Sequence, residues 1–204
     1  MRNYTIIGLT GPTGAGKSTV TKYLKSKGCY IIDADVLGKQ ALEKGSDCLK
    51  QVCAVFGNDI LNSNGELIRP LLAKKAFATP KDTEKLNSIT HPWICMQTLK
   101  QINSIRNAQK NPVIIIDAAV LLESCMDIIC DYIVAVVAPP QIRKQRIIAR
   151  DNLTEEQAVM RMSAQKDNCF YIEKADFVID SYNDIDSVYR KADDVLAVIS
   201  GGKL

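Results

Sequence analysis

The sequence of 204 residues contains one histidine and seven cysteines, and no two cysteines are spaced as C-x-x-C. Zinc sites are usually built from closely spaced Cys and His ligands, and disulfide frameworks from an even number of cysteines. Neither is therefore expected. Reduced thiols are the ordinary state of cysteines in the cytoplasm, so the sequence predicts a cytoplasmic protein.

Long hydrophobic runs are also lacking, and none approaches the roughly 20 residues that span a bilayer. The apolar start, Tyr4–Leu9, is too short for the core of a signal peptide. With 47% hydrophobic and 24% charged residues, and only 11 Gly and 7 Pro, the composition excludes collagen-like and largely disordered chains. The length favours a single domain, expected as a monomer or weak homo-oligomer.

Charge of one sign is not in excess, because 26 Lys and Arg accompany 23 Asp and Glu along the chain and give a net charge of +3. No block of the sequence is typical of an arm that binds nucleic acid. We therefore expect neither nucleic acid nor a membrane as a partner, and a small-molecule substrate instead.

Short runs rich in β-branched residues recur and end in Gly, Asp or Pro. They predict five buried strands, at Thr5–Gly11, Cys29–Asp35, Pro112–Asp117, Tyr132–Pro140 and Phe177–Asp180. Helical patterns alternate with them, which predicts an α/β fold with a parallel sheet covered by helices on both faces. Ligands of such sheets bind beyond the carboxyl ends of the strands.

Two helical stretches are too long for simple crossovers. The first, Val36 to Gln109, contains no good strand and is expected to break near Asn62–Gly65, Thr79–Pro80 and His91–Pro92. The second follows Arg150, where Thr154 and Gln157 form a capping-box pattern. We therefore expect one domain over 1–204, with an inserted helical region at about 60–110 that binds substrate and a lid at about 141–170.

The segment "GPTGAGKS", Gly11 to Ser18, fits G-x-x-x-x-G-K-[ST] between a predicted strand and a predicted helix. In such a loop backbone N–H groups cradle phosphates, the lysine reaches the β and γ oxygens, and the hydroxyl ligates Mg²⁺. The chain should therefore bind a nucleoside triphosphate. Switches, hydrolases, motors and small-molecule kinases all share this loop.

Two carboxylates favour a kinase. No N-K-x-D sequence, which a guanine-specific GTPase needs, occurs in the chain. Asp33 and Asp35 stand two apart at the end of a predicted strand, so they point the same way while the strand lasts. Such a pair suits proton acceptance from an acceptor hydroxyl. The alternative is that Asp35 caps the next helix and Asp33 is a turn residue.

Each of the other candidate site residues has both a functional and a purely structural interpretation. Asp117 ends an apolar strand, as a carboxylate near the metal does, although a strand often ends in Asp. Arg143, Arg146 and Arg150 share one face of a predicted helix and can converge on a triphosphate, or form a solvated face. Two candidates for substrate contacts have the weakest signals, since an Arg and a His before Pro also occur in ordinary turns: Arg69 and His91.

Taken in order, several segments cover nearly the whole chain and resemble the dephospho-CoA kinase family: "GLTGPTGAGKSTV", "IIDAD", "GELIR", "HP", "DAAVLLE", "QRIIARDNLT", "RMSAQ" and "ADFVID". The resemblance implies a P-loop NTPase fold with a five-stranded parallel core, a helical substrate region and a lid. It implies phosphorylation of the ribose 3′-hydroxyl of dephospho-CoA by ATP and Mg²⁺, the last step of coenzyme A biosynthesis.

The resemblance also implies roles for individual residues. The ATP phosphates are bound by Gly14, Ala15, Gly16, Lys17, Ser18 and Thr19. Asp35 is the base, Lys17 and the lid arginines Arg146 and Arg150 act in catalysis, Ser18 ligates the metal, and Arg69 binds substrate. From the residues themselves we also expect Asp117 at the metal and Asp33 and His91 in contact with substrate.

This sequence departs from the family pattern at Pro12-Thr13, where Gly-Ile is common. It departs again at Ala119, where Pro is usual, at Arg143, where Gln is frequent, and at Ser181, close to where an Asn is common. No role is carried over for Arg143, and Ser181 puts an adenine contact by that Asn in doubt. The rival functions are another small-molecule P-loop kinase and a nucleotide-dependent switch.

Overall fold

The computed structural model describes residues 3–201, except for the side chain of Ser200. It divides into two compact units: Asp33–Ser104 forms the second, and the segments on either side of it in the sequence form the first. The described part of the chain contains five strands, β1 Thr5–Thr10, β2 Tyr30–Asp33, β3 Val113–Asp117, β4 Tyr132–Val137 and β5 Phe177–Asp180. All five predicted strands are present.

The strands form one sheet in the order β2-β3-β1-β4-β5. The pairs of β1 with β3, of β1 with β4 and of β4 with β5 are parallel. The register places Leu9 beside Asp117 and Thr10 beside Ala135, so the carboxyl ends of the three central strands lie together. The predicted α/β fold with a parallel sheet is confirmed.

Nine α-helices occur within residues 3–201: α1 Lys17–Ser26, α2 Ala34–Ala41, α3 Asp47–Phe56, α4 Arg69–Ala76, α5 Pro80–Ala108, α6 Pro140–Asp151, α7 Glu155–Ser163, α8 Asn168–Lys174 and α9 Ile185–Ser200. Two short 3₁₀ helices are at Asn58–Ile60 and Met126–Ile129. The predicted capping box is present at α7, where the hydroxyl of Thr154 accepts from the N–H of Gln157 and the amide of Gln157 accepts from the N–H of Thr154.

Both faces of the sheet are buried, as the continuous apolar character of its strands predicts. Along β4, Val134 and Val136 pack in a core with residues of α1 and α9, including Val20, Leu24, Ala192 and Leu196. The alternate residues Ala135 and Val137 face the other way and pack against Tyr171 of α8. Helices on both faces therefore hold the sheet, and with it the ends of β1, β3 and β4, in place.

The second unit has its own apolar core, made by Val52, Phe56, Ile60, Leu72 and Ala76. Its chain turns at Asn62–Gly65, where the N–H of Gly65 donates to the carbonyl of Asn62 at 2.9 Å. A new helix begins at Pro80, as predicted.

The predicted break at His91–Pro92 is wrong, because α5 continues through Pro92 for 29 residues in all. A proline inside a helix removes one hydrogen bond and costs about 3 kcal/mol or more. Side chains on both sides of the proline are packed or buried, Leu86 and Ile89 before it and Thr98 and Ile102 after it. Burial on both sides compensates for the lost bond.

No helix within residues 3–201 is both long enough and apolar enough to cross a membrane.

Candidate active site

The loop from Gly11 to Gly16 leads from the end of β1 into the first turn of α1. Gly14 and Gly16 have φ values of 77° and 91°, a left-handed backbone that a side chain rarely tolerates. A Cβ on Gly14 would come within 2.6 Å of the carbonyl oxygen of Arg143, so the loop also packs directly on the backbone of α6. The N–H of Thr19 donates to the carbonyl of Gly16 at 3.0 Å. The start of a helix generally favours anions, because its first N–H groups have no acceptor inside the helix.

Lys17 and Asp117 are joined across this site. The ammonium of Lys17 donates a hydrogen bond to Oδ1 of Asp117, and the hydroxyl of Thr21 donates to Oδ2 at 2.6 Å. The carboxylate that ends β3 therefore lies beside the phosphate loop. This placement is the one expected of a carboxylate near a bound metal.

Three successive carbonyl groups of the loop are held from outside. Nε of Arg143 donates to the carbonyl of Thr13 at 2.9 Å, and Nη1 of Arg146 donates to that of Gly14 at 3.3 Å. The hydroxyl of Ser181 donates to the carbonyl of Ala15. The outer side of the loop is thus fixed by two arginines of α6 and by the residue that follows β5.

The N–H of Thr13 is held as well. It donates to Oε1 of Gln165, in the segment between α7 and α8, at 2.7 Å. The loop therefore contacts both helix α6 and the segment after α7, the two parts of the predicted lid.

The three arginines of α6 do not converge on one point. Arg143 and Arg146 reach the loop, and Arg146 also donates to the carbonyl of Ser181 at 2.6 Å. Arg150 instead forms two hydrogen bonds with Asp151, which also accepts from Arg161 at 2.7 Å. Hydrogen bonding from Arg150 lowers the pKa of the Asp151 carboxyl. Arg143 and Arg146 thus reach the loop, whereas Arg150 pairs with Asp151.

A cavity of about 220 Å³ opens beside the loop. It joins the first turn of α1 to the segment that follows β5, and it is lined by Gly16, Thr19, Arg146, Ser181, Asn183, Ile185 and Val188. Its position at the carboxyl ends of the strands is the one where α/β sheets bind ligands.

The local structure around Asp33 and Asp35 differs from the prediction. β2 ends at Asp33, whose side chain accepts from the N–H of Val36 at 2.9 Å and so caps α2. Asp35 lies in the first turn of that helix, not on the strand. The expectation that the two carboxylates share one strand face is therefore wrong. The residue that caps α2 is Asp33 rather than Asp35. Asp33 ends β2 and lies three residues before Val36, so its carboxylate can accept the N–H of Val36.

Arg69 and His91 lie, like Asp35, in the second unit. Arg69 is exposed at the start of α4, beside Pro70. His91 is a half-buried residue of α5 rather than a turn residue, and burial lowers the pKa of its imidazole.

Four residues make contacts in the site that the sequence did not predict: Thr21, Arg143, Gln165 and Ser181. Thr21 lies one turn after Lys17 on α1, so helical spacing alone was a usable signal. The roles of Arg143, Gln165 and Ser181 depend on long-range contacts with the backbone of the loop, for which the sequence carries no local pattern.

Most of this chain is similar in sequence to known proteins. The family model described as dephospho-CoA kinase matches residues 5–187. The dephospho-CoA kinase of Corynebacterium diphtheriae is 39% identical over 187 residues, which are 92% of this chain and 93% of that protein.

Two solved structures are similar along their whole lengths. A Thermus thermophilus protein called TT1252 is 26% identical with a TM-score of 0.83, and the match covers 97% of this chain and 99% of that one. Dephospho-CoA kinase from Campylobacter jejuni, 23% identical, has the same fold with a TM-score of 0.61, over 98% of this chain and 100% of the other.

Proposed function

Because this chain belongs to the dephospho-CoA kinase family, we propose how its own residues divide the work of that family's reaction. The enzyme transfers the γ-phosphoryl group of ATP to the ribose 3′-hydroxyl of dephospho-CoA, giving CoA and ADP in the last step of coenzyme A biosynthesis. The family match over residues 5–187 carries the assignment of the substrate. The hydrogen bonding around Lys17 supports the roles that follow.

The backbone from Gly14 to Thr19 binds the phosphates of ATP, and the ammonium of Lys17 neutralises the β and γ oxygens. This role is supported by the position of these residues in the loop and in the first turn of α1, where the helix dipole favours anions. In phosphoryl transfer the protein contributes mainly positioning and charge stabilisation.

Mg²⁺ fits the donor set beside this loop. The hydroxyl of Ser18 and the carboxylate of Asp117 are hard oxygen ligands, and Mg²⁺ in kinases takes one or two such groups together with phosphates and waters. Among the described residues no cluster of three or more His, Cys, Asp or Glu could hold a metal ion alone, in agreement with a metal that arrives with the nucleotide. When bound, the ion neutralises charge that develops on the phosphates.

The nucleobase occupies the cavity of about 220 Å³ beside Gly16 and Thr19. Its continuity with the phosphate-binding turn of α1 supports this role. Arg146, which is hydrogen-bonded to the carbonyls of Gly14 and Ser181, lines one side of this cavity.

Asp35 accepts the proton of the 3′-hydroxyl, late in a loose transition state. Its place in the first turn of α2 fixes its backbone, and its side chain is exposed to a ligand. Asp33, Arg69 and His91 contact the acceptor substrate. The exposed guanidinium of Arg69 suits the diphosphate of dephospho-CoA, because arginine binds phosphate in a bidentate manner.

The lid arginines stabilise the charge of the transferring group. Arg146 acts from its place on the loop, and Arg150 leaves Asp151 when the lid closes over bound substrates. The exchange is easy because the pair of Arg150 with Asp151 is exposed, and exposed ion pairs contribute little to stability.

A reducing cytoplasmic location is supported by the seven cysteines, all of which are free. The enzyme acts on small molecules, as a monomer or weak homo-oligomer.

The first experiment measures ADP release from MgATP with and without dephospho-CoA, and with a panel of nucleosides and nucleoside monophosphates. Stimulation by dephospho-CoA alone, with CoA as product, is expected. Stimulation by a different acceptor would leave a P-loop kinase of other specificity, and slow hydrolysis independent of any acceptor would favour a switch.

A further inference from the structure

Arg143 is almost completely buried, with 3% of its surface exposed. Within residues 3–201 no carboxylate forms an ion pair with it, and burial lowers the pKa of its guanidinium. A buried charge without a partner is costly, so such groups are retained where they have a specific task. The task is indicated by where its donors point.

The guanidinium of Arg143 is oriented by one neighbour and bound to the loop. Its Nη1 donates to Oδ1 of Asn168 at 3.2 Å, and Nδ2 of Asn168 donates to the carbonyl of Ala138, just after β4, at 2.9 Å. Asn168 thus fixes the orientation of the guanidinium. In this orientation Nε of Arg143 donates to the carbonyl of Thr13. The chain of contacts therefore runs from the end of the central sheet to the phosphate loop.

The carbonyl of one residue and the N–H of the next belong to one planar trans peptide and point in opposite directions. When Arg143 holds the carbonyl of Thr13 outward, the N–H of Gly14 must therefore point away from α6. By the same geometry, Ser181, which holds the carbonyl of Ala15, turns the N–H of Gly16 away from itself.

The third amide in this run is used within the loop. The N–H of Ala15 donates to the carbonyl of Pro12 at 3.1 Å, and the N–H of Thr13 donates to Gln165. The N–H groups of Gly14 and Gly16 remain. Because the carbonyls of Thr13 and Ala15 are held on the outer side of the loop, these two N–H groups point to the opposite side, where we place the nucleotide.

We propose that Arg143 is a positioning residue for phosphoryl transfer, which aims the N–H of Gly14 at the phosphates of ATP by holding the carbonyl of Thr13. It does not touch the nucleotide itself. This inference rests on the proposed role of the loop in binding ATP.

Three variants test this role. Arg143→Met removes every donor at nearly constant length, whereas Arg143→Gln keeps an amide NH₂ as a donor group without the charge. Arg190→Met is the matched control, since it removes an exposed arginine from α9. For each variant, kcat, the KM values for ATP and dephospho-CoA, the melting temperature, and ATP binding by calorimetry without acceptor are measured.

The expected result is a fall in kcat/KM for ATP on the order of 10- to 100-fold in Arg143→Met, the usual effect of a misplaced group. ATP binding should weaken, KM for dephospho-CoA should stay unchanged, and Arg143→Gln should recover part of the loss. If Arg143→Met only has a lower melting temperature, while its ATP affinity and its KM for ATP equal those of the wild type, the residue is merely structural and the proposal is overturned.

Should Arg143→Met fail to fold, Asn168→Ala provides the same test. It leaves Arg143 in place but frees its guanidinium, and a several-fold loss of ATP affinity is expected. Unchanged ATP binding in that variant would overturn the proposal. Since calorimetry needs no acceptor, a wild-type enzyme that binds ATP but does not phosphorylate dephospho-CoA would refute the proposed function alone.

Discussion

The ammonium of Lys17 and the carboxylate of Asp117 form a hydrogen-bonded ion pair, although one begins α1 and the other ends β3. Both are largely buried, and Thr21 fixes the carboxylate from the same helix. When MgATP binds, Lys17 is expected to turn to the phosphates and Asp117 to the metal. The pair thus keeps two opposite charges mutually neutralised beside the phosphate loop.

Replacing Lys17 with alanine should therefore impair ATP use with any acceptor. Loss of the positive charge next to the transferring group is expected to lower kcat/KM for ATP by about 10²- to 10³-fold, as for other preorganised donors. Steady-state kinetics check this, with Lys22→Ala, an exposed lysine of the same helix, as the control. Unchanged kcat and unchanged KM for ATP would contradict the role of the loop.

Replacing Asp35 with asparagine should affect chemistry and spare nucleotide binding. Asparagine cannot accept the proton of the hydroxyl, so kcat is expected to fall by about 10²- to 10⁴-fold. ATP affinity measured by calorimetry should remain near that of the wild type. Asp47→Asn, which changes an acidic residue in the first turn of α3, serves as the control. Near-normal turnover of Asp35→Asn would remove the residue from the role of base.

Asp33 has a capping role that two substitutions can separate from any contact with substrate. Asp33→Ala removes the acceptor for the N–H of Val36 and should lower the free energy of unfolding by about 1 kcal/mol. Asp33→Asn retains a good cap and should keep that stability. If only the negative charge binds substrate, both variants raise KM for dephospho-CoA; equal stability of the two in urea would exclude the cap.

The sequence predicts those features of the fold that depend on a few neighbouring residues. The buried strands, the loop and the capping box of α7 each follow from a short run of residues, and the structure has them. The end of β2 was misplaced because the competing signal, a side chain that caps the next helix, occupies the same residues as the strand pattern.

Long-range contacts account for what the sequence did not reveal. Pro92 argued for a break in α5, but its helix is packed on both sides of the proline. No local pattern predicted the contact of Arg143 with the carbonyl of Thr13, because the two residues are 130 positions apart. Backbone carbonyls are identical in every residue, so a site built on them leaves no trace in side-chain patterns.

The single histidine makes one pH effect separable from all others. Burial lowers the pKa of His91 below the ordinary value of 6.5 in the folded protein, whereas the unfolded chain keeps that value. As the pH falls through 6.5, the unfolded state binds a proton that the folded state refuses. The free energy of unfolding should therefore be highest above pH 6.5 and should decrease as the pH falls below it.

Urea unfolding at pH 7.5 and pH 5.5 measures this effect in the wild type and in His91→Gln. Carboxylates titrate in both proteins alike, so the difference between the two pH dependences belongs to His91. The wild type should lose more stability than His91→Gln between these pH values, because glutamine carries no proton to exclude. Identical losses would show that the imidazole takes up its proton as readily in α5 as in the unfolded chain. In that case the burial of His91 would not lower its pKa.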